Sequence, residues 1–212
     1  MVSNISTTRQ PVIILITLAF VASVSAYPAL PAVVGRGLIA FVLPSAAAIT
    51  FVLFESLWRH DFVRGGNGHA EAAYQSIVRW LIVFVLALHA VILIGILAGR
   101  DANMVRSVPL LPRAVPVLLG VTLIGVGNLL PRIGPNVVMG IRTSRSLRDR
   151  RIWSRTQRAA GYVAVGLGMV SIVSGALVPQ IQLLLPILSG AGLIAVAALA
   201  TTAWKYSREG EN

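Results

Sequence analysis

The chain has no cysteine. Disulfides, thiolate nucleophiles and Cys-ligated metals are therefore excluded. Acids are scarce as well. Seven Asp and Glu stand against eighteen Lys and Arg in 212 residues, giving a net charge of +11. Lys205 is the single lysine among those eighteen. Charged residues make up 12% of the chain, where a soluble domain carries about 25%. The three histidines (His60, His69 and His89) lie on different segments without metal-ligand spacing. No nucleic-acid motif is visible, and no cofactor is implied. What the chain does have is apolar: 56% hydrophobic residues and a mean hydropathy of +0.82. A membrane protein is the class that fits, built as one helical domain over residues 1–212.

Six segments are apolar enough to cross about 30 Å of hydrocarbon, which needs about 20 helical residues. They fall near 11–30, 37–58, 80–98, 114–130, 159–178 and 182–204. The expected fold is all-α, a polytopic bundle of about six transmembrane helices. Residues 1–26 also have the form of a signal peptide, with Arg9, an apolar run and the small-residue ending Val24-Ser25-Ala26. The expected reading is a retained span. Gly95-xxx-Gly99, Ala164-xxx-Gly168 and Ser171-xxx-Gly175 are small-residue patterns suited to helix packing. Pro44, Pro116 and Pro186 are expected to kink or start their helices. No internal repeat of the transporter kind is seen.

Basic residues choose the orientation. The two termini and the 59–79 and 131–158 loops hold fourteen Lys and Arg, and the opposite loops hold four. This bias predicts cytoplasmic N- and C-termini. Trp58, Trp80, Trp153 and Trp204 all fall at the predicted cytoplasmic ends, where their rings are expected to anchor at headgroups. The anionic headgroups of membrane lipids are the partners such a charge implies, and nucleic acid is not.

Gly127 to Gly161 is the densest part of that pattern, with eight arginines and one acid. Pro131 and Pro135 should stop the fourth span near Leu130. Asn128 sits just inside that end, where its amide can meet freed carbonyls. Asn136 and Gly140 suit a turn, since each tolerates positive φ. Ser146 and Asp149 have capping-box spacing, predicting an interfacial helix that starts at Leu147 and runs into the fifth span. Leu147, Ile152 and Trp153 would face the membrane interface, and Arg148, Arg151 and Arg155 would face phosphates or water. Asn128, Asn136, Arg142 and Thr143 are expected to form one hydrogen-bonded cluster.

Orientation needs arginines, but it does not need this order of Asn, Gly, Thr and Trp. The order resembles the hallmark of the SdpI-type family of bacterial membrane proteins. Matching residues are Gly127, Asn128, Pro131, Asn136, Gly140, Ile141, Arg142, Thr143, Leu147, Trp153, Thr156, Arg158 and Gly161. The similarity extends by hydropathy over about 80–206, and the N-terminal part is divergent. Ser144-Arg145 stands where the family has Pro-Trp, and Gln157 where it has histidine. Tyr27-Pro28-Ala29-Leu30-Pro31 is similar to the start of the family's N-terminal region, without its loop histidine. The resemblance implies a multi-pass protein of the bacterial plasma membrane. It also implies immunity to a peptide toxin, with signalling through a cytoplasmic repressor held at the membrane. The implied motif or partner-binding residues are Asn128, Pro131, Asn136, Gly140, Arg142, Thr143, Trp153, Thr156 and Arg158.

Two intramembrane polar residues stand outside the motif. Glu55 is expected to pair with Arg59 at i, i+4. His89, in mid-span, is expected to make an interhelical bond, with a proton relay as the functional alternative. Residues 61–76, with Gly65-Gly66-Asn67-Gly68-His69, read as a flexible linker lacking the lysine of a P-loop. Three function classes are compatible with these features: an interaction protein, a small transporter or channel, and an intramembrane lipid-modifying enzyme. The interaction protein is the expected one. No base–nucleophile pair or paired carboxylates stand at catalytic spacing, so an enzyme is not expected.

Overall fold

The computed structural model describes residues 4–30, 35–59, 68–98, 111–136, 138–142 and 144–177. Within them every regular element is helical: α1 (Asn4–Ala26), α2 (Arg36–Arg59), α3 (Gly68–Ala98), α4 (Leu111–Leu129), the short α5 (Ser144–Arg148) and α6 (Arg150–Leu177). Single 3-10 turns follow α1 (Tyr27–Ala29) and α4 (Leu130–Arg132). Five helices are long and apolar enough to cross a membrane. The sixth expected span, 182–204, lies outside the described residues, as do Pro186 and Trp204. The helices also present large apolar side chains outward, among them Leu18, Ile49, Val52, Ile94 and Met169. So much exposed hydrocarbon on every long helix needs lipid around it. The protein is a helical membrane bundle.

One end of the bundle gathers the start of α1, the end of α2, the start of α3, the end of α4 and the start of α6. Arg9 on α1 pairs with Glu55 on α2. A cleft beside that pair is lined by Tyr74 and Arg79 of α3. A second cleft joins Ala72 and Ala73 of α3 to Leu129 and Arg132. The arginines of the 132–158 segment lie at this basic end. At the other end, Tyr27 packs on Phe41 with ring centroids 5.8 Å apart, and the Arg36 guanidinium lies 4.0 Å over the Tyr27 ring.

Val12 and Ile16 of α1, Ala47 of α2, and Tyr74, Ile77, Val78, Ile82 and Leu86 of α3 join the first three helices in a core of side chains, which continues into Ile133, Met139 and Trp153. Val12 to Ile16 is one turn, and Tyr74, Ile77, Val78 and Ile82 recur at three and four residues, the stripe a buried helix face requires. Near the middle of this half, Ser23 Oγ and His89 Nε2 lie 2.8 Å apart. His89 is therefore an interhelical link between α1 and α3, as its lone mid-span position implied.

The α4–α6 pair is built differently. A Cβ on Gly120 would come 2.5 Å from the carbonyl oxygen of Gly168, and one on Gly168 would come 2.6 Å from that of Gly120. Seven residues along each helix the arrangement recurs between Gly127 and Gly161, at 2.8 and 2.6 Å. Seven residues to the other side of the 120–168 contact, a Cβ on Gly175 would come 3.0 Å from the carbonyl oxygen of Arg113. The two antiparallel backbones touch where no side chain intervenes. In lipid, where apolar burial gives no net drive between helices, such close packing is the main source of association.

The structure corrects several boundaries. α3 begins at Gly68, so residues 68–76 are helical and not linker; residues 61–67 lie outside the described set. Ala70, Ala72, Ala73 and Gln75 are good helix formers, and they outweigh the glycines before them. Pro44 and Pro116 sit inside α2 and α4 rather than starting them. Glu55 pairs with Arg9 of another helix, where the ends of α1 and α2 converge at the basic end; the side chain of Arg59, its expected partner, lies outside the described residues.

Candidate functional site: the loop between α4 and α6

The loop begins where Pro131 denies α4 a backbone donor. A 3-10 turn closes over Leu130–Arg132, with the Ile133 amide donating to Leu130 O at 3.2 Å. Ile133 is then extended and buried. Asn136 organises the turn after it. Its Nδ2 donates to Gly134 O at 2.9 Å, while its Oδ1 accepts from the amides of Val138 (2.9 Å) and Met139 (2.6 Å). One buried side chain thus replaces a piece of secondary structure. Asn136 does this without positive φ; among the described residues of the loop, Gly140 has it, at +95°.

Two α6 side chains hold this loop from the other side. Trp153 is 2% exposed, and its Nε1 donates to Ile133 O at 2.7 Å. One turn later Gln157 is fully buried. Its Nε2 donates to Ile141 O at 2.9 Å, and its Oε1 accepts from the Ile141 amide at 3.3 Å. The amide group pairs with a peptide unit as a neighbouring strand would. Gly140 explains why the fit is possible: a Cβ there would sit 2.6 Å from Gln157 Oε1. Thus Pro131, Asn136, Gly140, Trp153 and Gln157 form one frame around residues 133–141.

The α6 N-terminus is capped by Asp149, whose Oδ1 accepts from the Arg151 amide at 2.7 Å. The predicted Ser146 cap is overturned. Residues 144–148 form their own short helix, Ser146 is fully buried, and the chain breaks at Asp149 before α6 starts. Carboxylate at an N-cap is favoured by the helix dipole as well.

Within α6 the faces divide sharply. Trp153, Thr156, Gln157, Ala160 and Gly161 are buried. Arg151, Arg155 and Arg158 are exposed at spacings of four and three, which places them on one face. Arg148 and Arg150 are exposed beside them.

The expected cluster of Asn128, Asn136, Arg142 and Thr143 is therefore not what organises the loop. Asn136 is satisfied by its own turn. Asn128 is exposed at the end of α4, and Arg142 is exposed though not without a partner. Thr143 lies outside the described residues. Trp153 is not an interfacial anchor but a buried donor, because the carbonyl of Ile133 offers its N–H a partner inside the fold. Trp80 also packs inward, against Gly125, where a Cβ would come 2.5 Å from its ring. Leu147 is exposed as expected. Gln157 was visible only as a departure from a motif; its role comes from contact with Gly140 and Ile141. Among the described residues, no three His, Asp or Glu gather as a metal would need.

A model of the SdpI/YfhL protein family matches residues 132–204, a span that opens at the loop and takes in all of α5 and α6. No curated protein and no solved structure matches the chain.

Proposed function

We propose, for a chain that residues 132–204 assign to the SdpI/YfhL protein family, a role as a multi-pass interaction protein of a bacterial plasma membrane. It confers immunity to a secreted peptide toxin, signals by holding a cytoplasmic regulator at the membrane, or does both. It acts by binding, not by catalysis. Both termini and the basic end face the cytoplasm in this reading, in keeping with the uneven distribution of arginine.

The observation that carries the proposal is the division of labour on α6. Trp153 and Gln157 are consumed in building the frame, Thr156 is buried beside them, and Arg151, Arg155 and Arg158 lie on the exposed face. A rigid frame presenting guanidinium groups suits an acidic protein surface or anionic headgroups. Asn128, Pro131, Asn136, Gly140, Arg142 and Thr143 shape and flank that surface. The toxin is met from the other side or within the bilayer, by the divergent N-terminal helices.

The test is genetic and direct. Cells lacking the gene are challenged with a panel of secreted peptide toxins, with and without the gene restored. Restored protection against at least one toxin supports immunity. Unchanged sensitivity to all of them, together with unchanged transcription of neighbouring genes, contradicts the proposal.

A further inference from the structure

The Arg9–Glu55 pair borders a cleft that the loop between α4 and α6 does not touch. Its walls are Val12 of α1, Phe51 and Phe54 of α2, and Tyr74, Val78 and Arg79 of α3, with Gln75 at the rim. It is a shallow cleft, enclosing about 40 Å³ and otherwise open at the surface. Tyr74 stiffens one wall by donating its hydroxyl to Phe54 O at 3.3 Å. The chemistry is amphiphilic: apolar walls and three charged groups.

Those charges do not cancel. Two guanidinium groups, of Arg9 and Arg79, face one carboxylate, of Glu55. Arg9 is paired with that carboxylate. Arg79 donates to the neutral Ser76 Oγ at 3.0 Å. Arg79 shares the cleft with Arg9, the first residue of the α1 span, and so lies near the end of the bundle. A guanidinium at that level can reach the headgroups.

We propose that this cleft is a binding site for an anionic phospholipid of the surrounding leaflet. The phosphate sits between Arg79 and Arg9, and the upper acyl chain lies along Val12, Phe51 and Val78. Three observations converge on that occupant. The net charge of the lining is positive. The cleft lies at the end of the bundle where headgroups reside. Its remaining walls match hydrocarbon. Guanidinium is the group best suited to clasp a phosphate. The site is separate from the arginines of α6 and does not depend on the toxin or regulator proposal.

The test uses the full-length protein purified in detergent and native mass spectrometry. Phosphatidylglycerol and phosphatidylcholine of identical acyl chains are titrated in. The wild type is expected to retain one phosphatidylglycerol with about tenfold preference, the size of one charge-assisted hydrogen bond. Arg79→Gln should lose that preference, Arg79→Lys should keep part of it, and Arg151→Gln/Arg155→Gln should keep it whole. If Arg79→Gln does not purify as a single species, Gln75→Glu removes the surplus charge instead and should abolish the preference equally. Equal retention of the two lipids by wild type overturns the proposal. So does undiminished preference in Arg79→Gln or Gln75→Glu, or binding of inorganic phosphate as tight as that of the lipid.

Discussion

Ile82 of α3 and Gly161 of α6 are both buried at helix contacts, and they act in opposite ways. Ile82 fills space: it is fully buried among Val12, Ile16, Ala47 and Leu86. Gly161 vacates space, letting the carbonyl of Gly127 come within 2.6 Å of where a Cβ would stand. Helices α1–α3 are joined by side chains, one ion pair and the Ser23–His89 bond. Helices α4 and α6 are joined backbone to backbone. A side-chain core can absorb a change of shape by repacking, whereas two touching backbones have nothing to rearrange. The family match opens at 132, after α4, so it takes in the α6 side of this backbone contact and not the α4 side. The α4–α6 pair, which flanks the motif loop, is the part whose geometry is least forgiving.

One carbon added at the α4–α6 contact and one removed from the α1–α3 core should expose the contrast. Gly161→Ala gains about 1 kcal/mol of helix propensity but drives a Cβ into the Gly127 carbonyl. The net loss should be about 2 kcal/mol, and about 3 kcal/mol or more for Gly120→Ala combined with Gly168→Ala. Ile82→Val, a change of the same size in the other half, should cost about 1 kcal/mol. Thermal unfolding of the purified variants in one detergent measures all three. Equal losses in the two halves would erase the distinction.

The frame should be nearly as sensitive. Gln157→Leu leaves both polar groups of Ile141 without their partner, a loss of about 2 kcal/mol. Hydrogen exchange should accelerate at Ile141 while the exchange of α1–α3 stays unchanged. Asp149→Ala removes the α6 cap and should cost about 1 kcal/mol, with Asp149→Asn restoring most of it. The smallest effect belongs to the N-terminal half. Arg9 and Glu55 are partly exposed, so Glu55→Gln should shift stability by at most about 1 kcal/mol. A larger effect there would mean that the ion pair, not the side-chain core, holds α1 to α2.

Much of this architecture is legible in residue order alone. Five apolar runs became five spanning helices, and Pro131 ended α4 where its missing donor required. Gly140 took the positive φ that its neighbours could not. Other features resisted for identifiable reasons. The glycine seam repeats every seven residues, in 120 and 127 and again in 161, 168 and 175, whereas the four-residue patterns drew the eye. Pairing between α4 and α6 is visible only once both helices are placed. Trp153 could satisfy its N–H either at headgroups or inside the fold, and residue type does not choose between them. Gln157 stood out only as a substitution for histidine, because its partner is a backbone unit and backbone units carry no sequence signal. Glu55 gains Arg9 as a partner from 46 positions away, a pairing that sequence spacing does not show.

The absence of cysteine makes the central claim open to a clean labelling measurement. Arg155 and Thr156 are adjacent on α6, one exposed and one 3% exposed. Each is replaced singly by cysteine (Arg155→Cys, Thr156→Cys) and treated with a membrane-impermeant maleimide in inverted membrane vesicles. Motif residues buried as a frame, with arginines outside, require rapid labelling of Arg155→Cys and labelling of Thr156→Cys only after denaturation. Equal labelling rates at the two positions in folded protein would contradict the account.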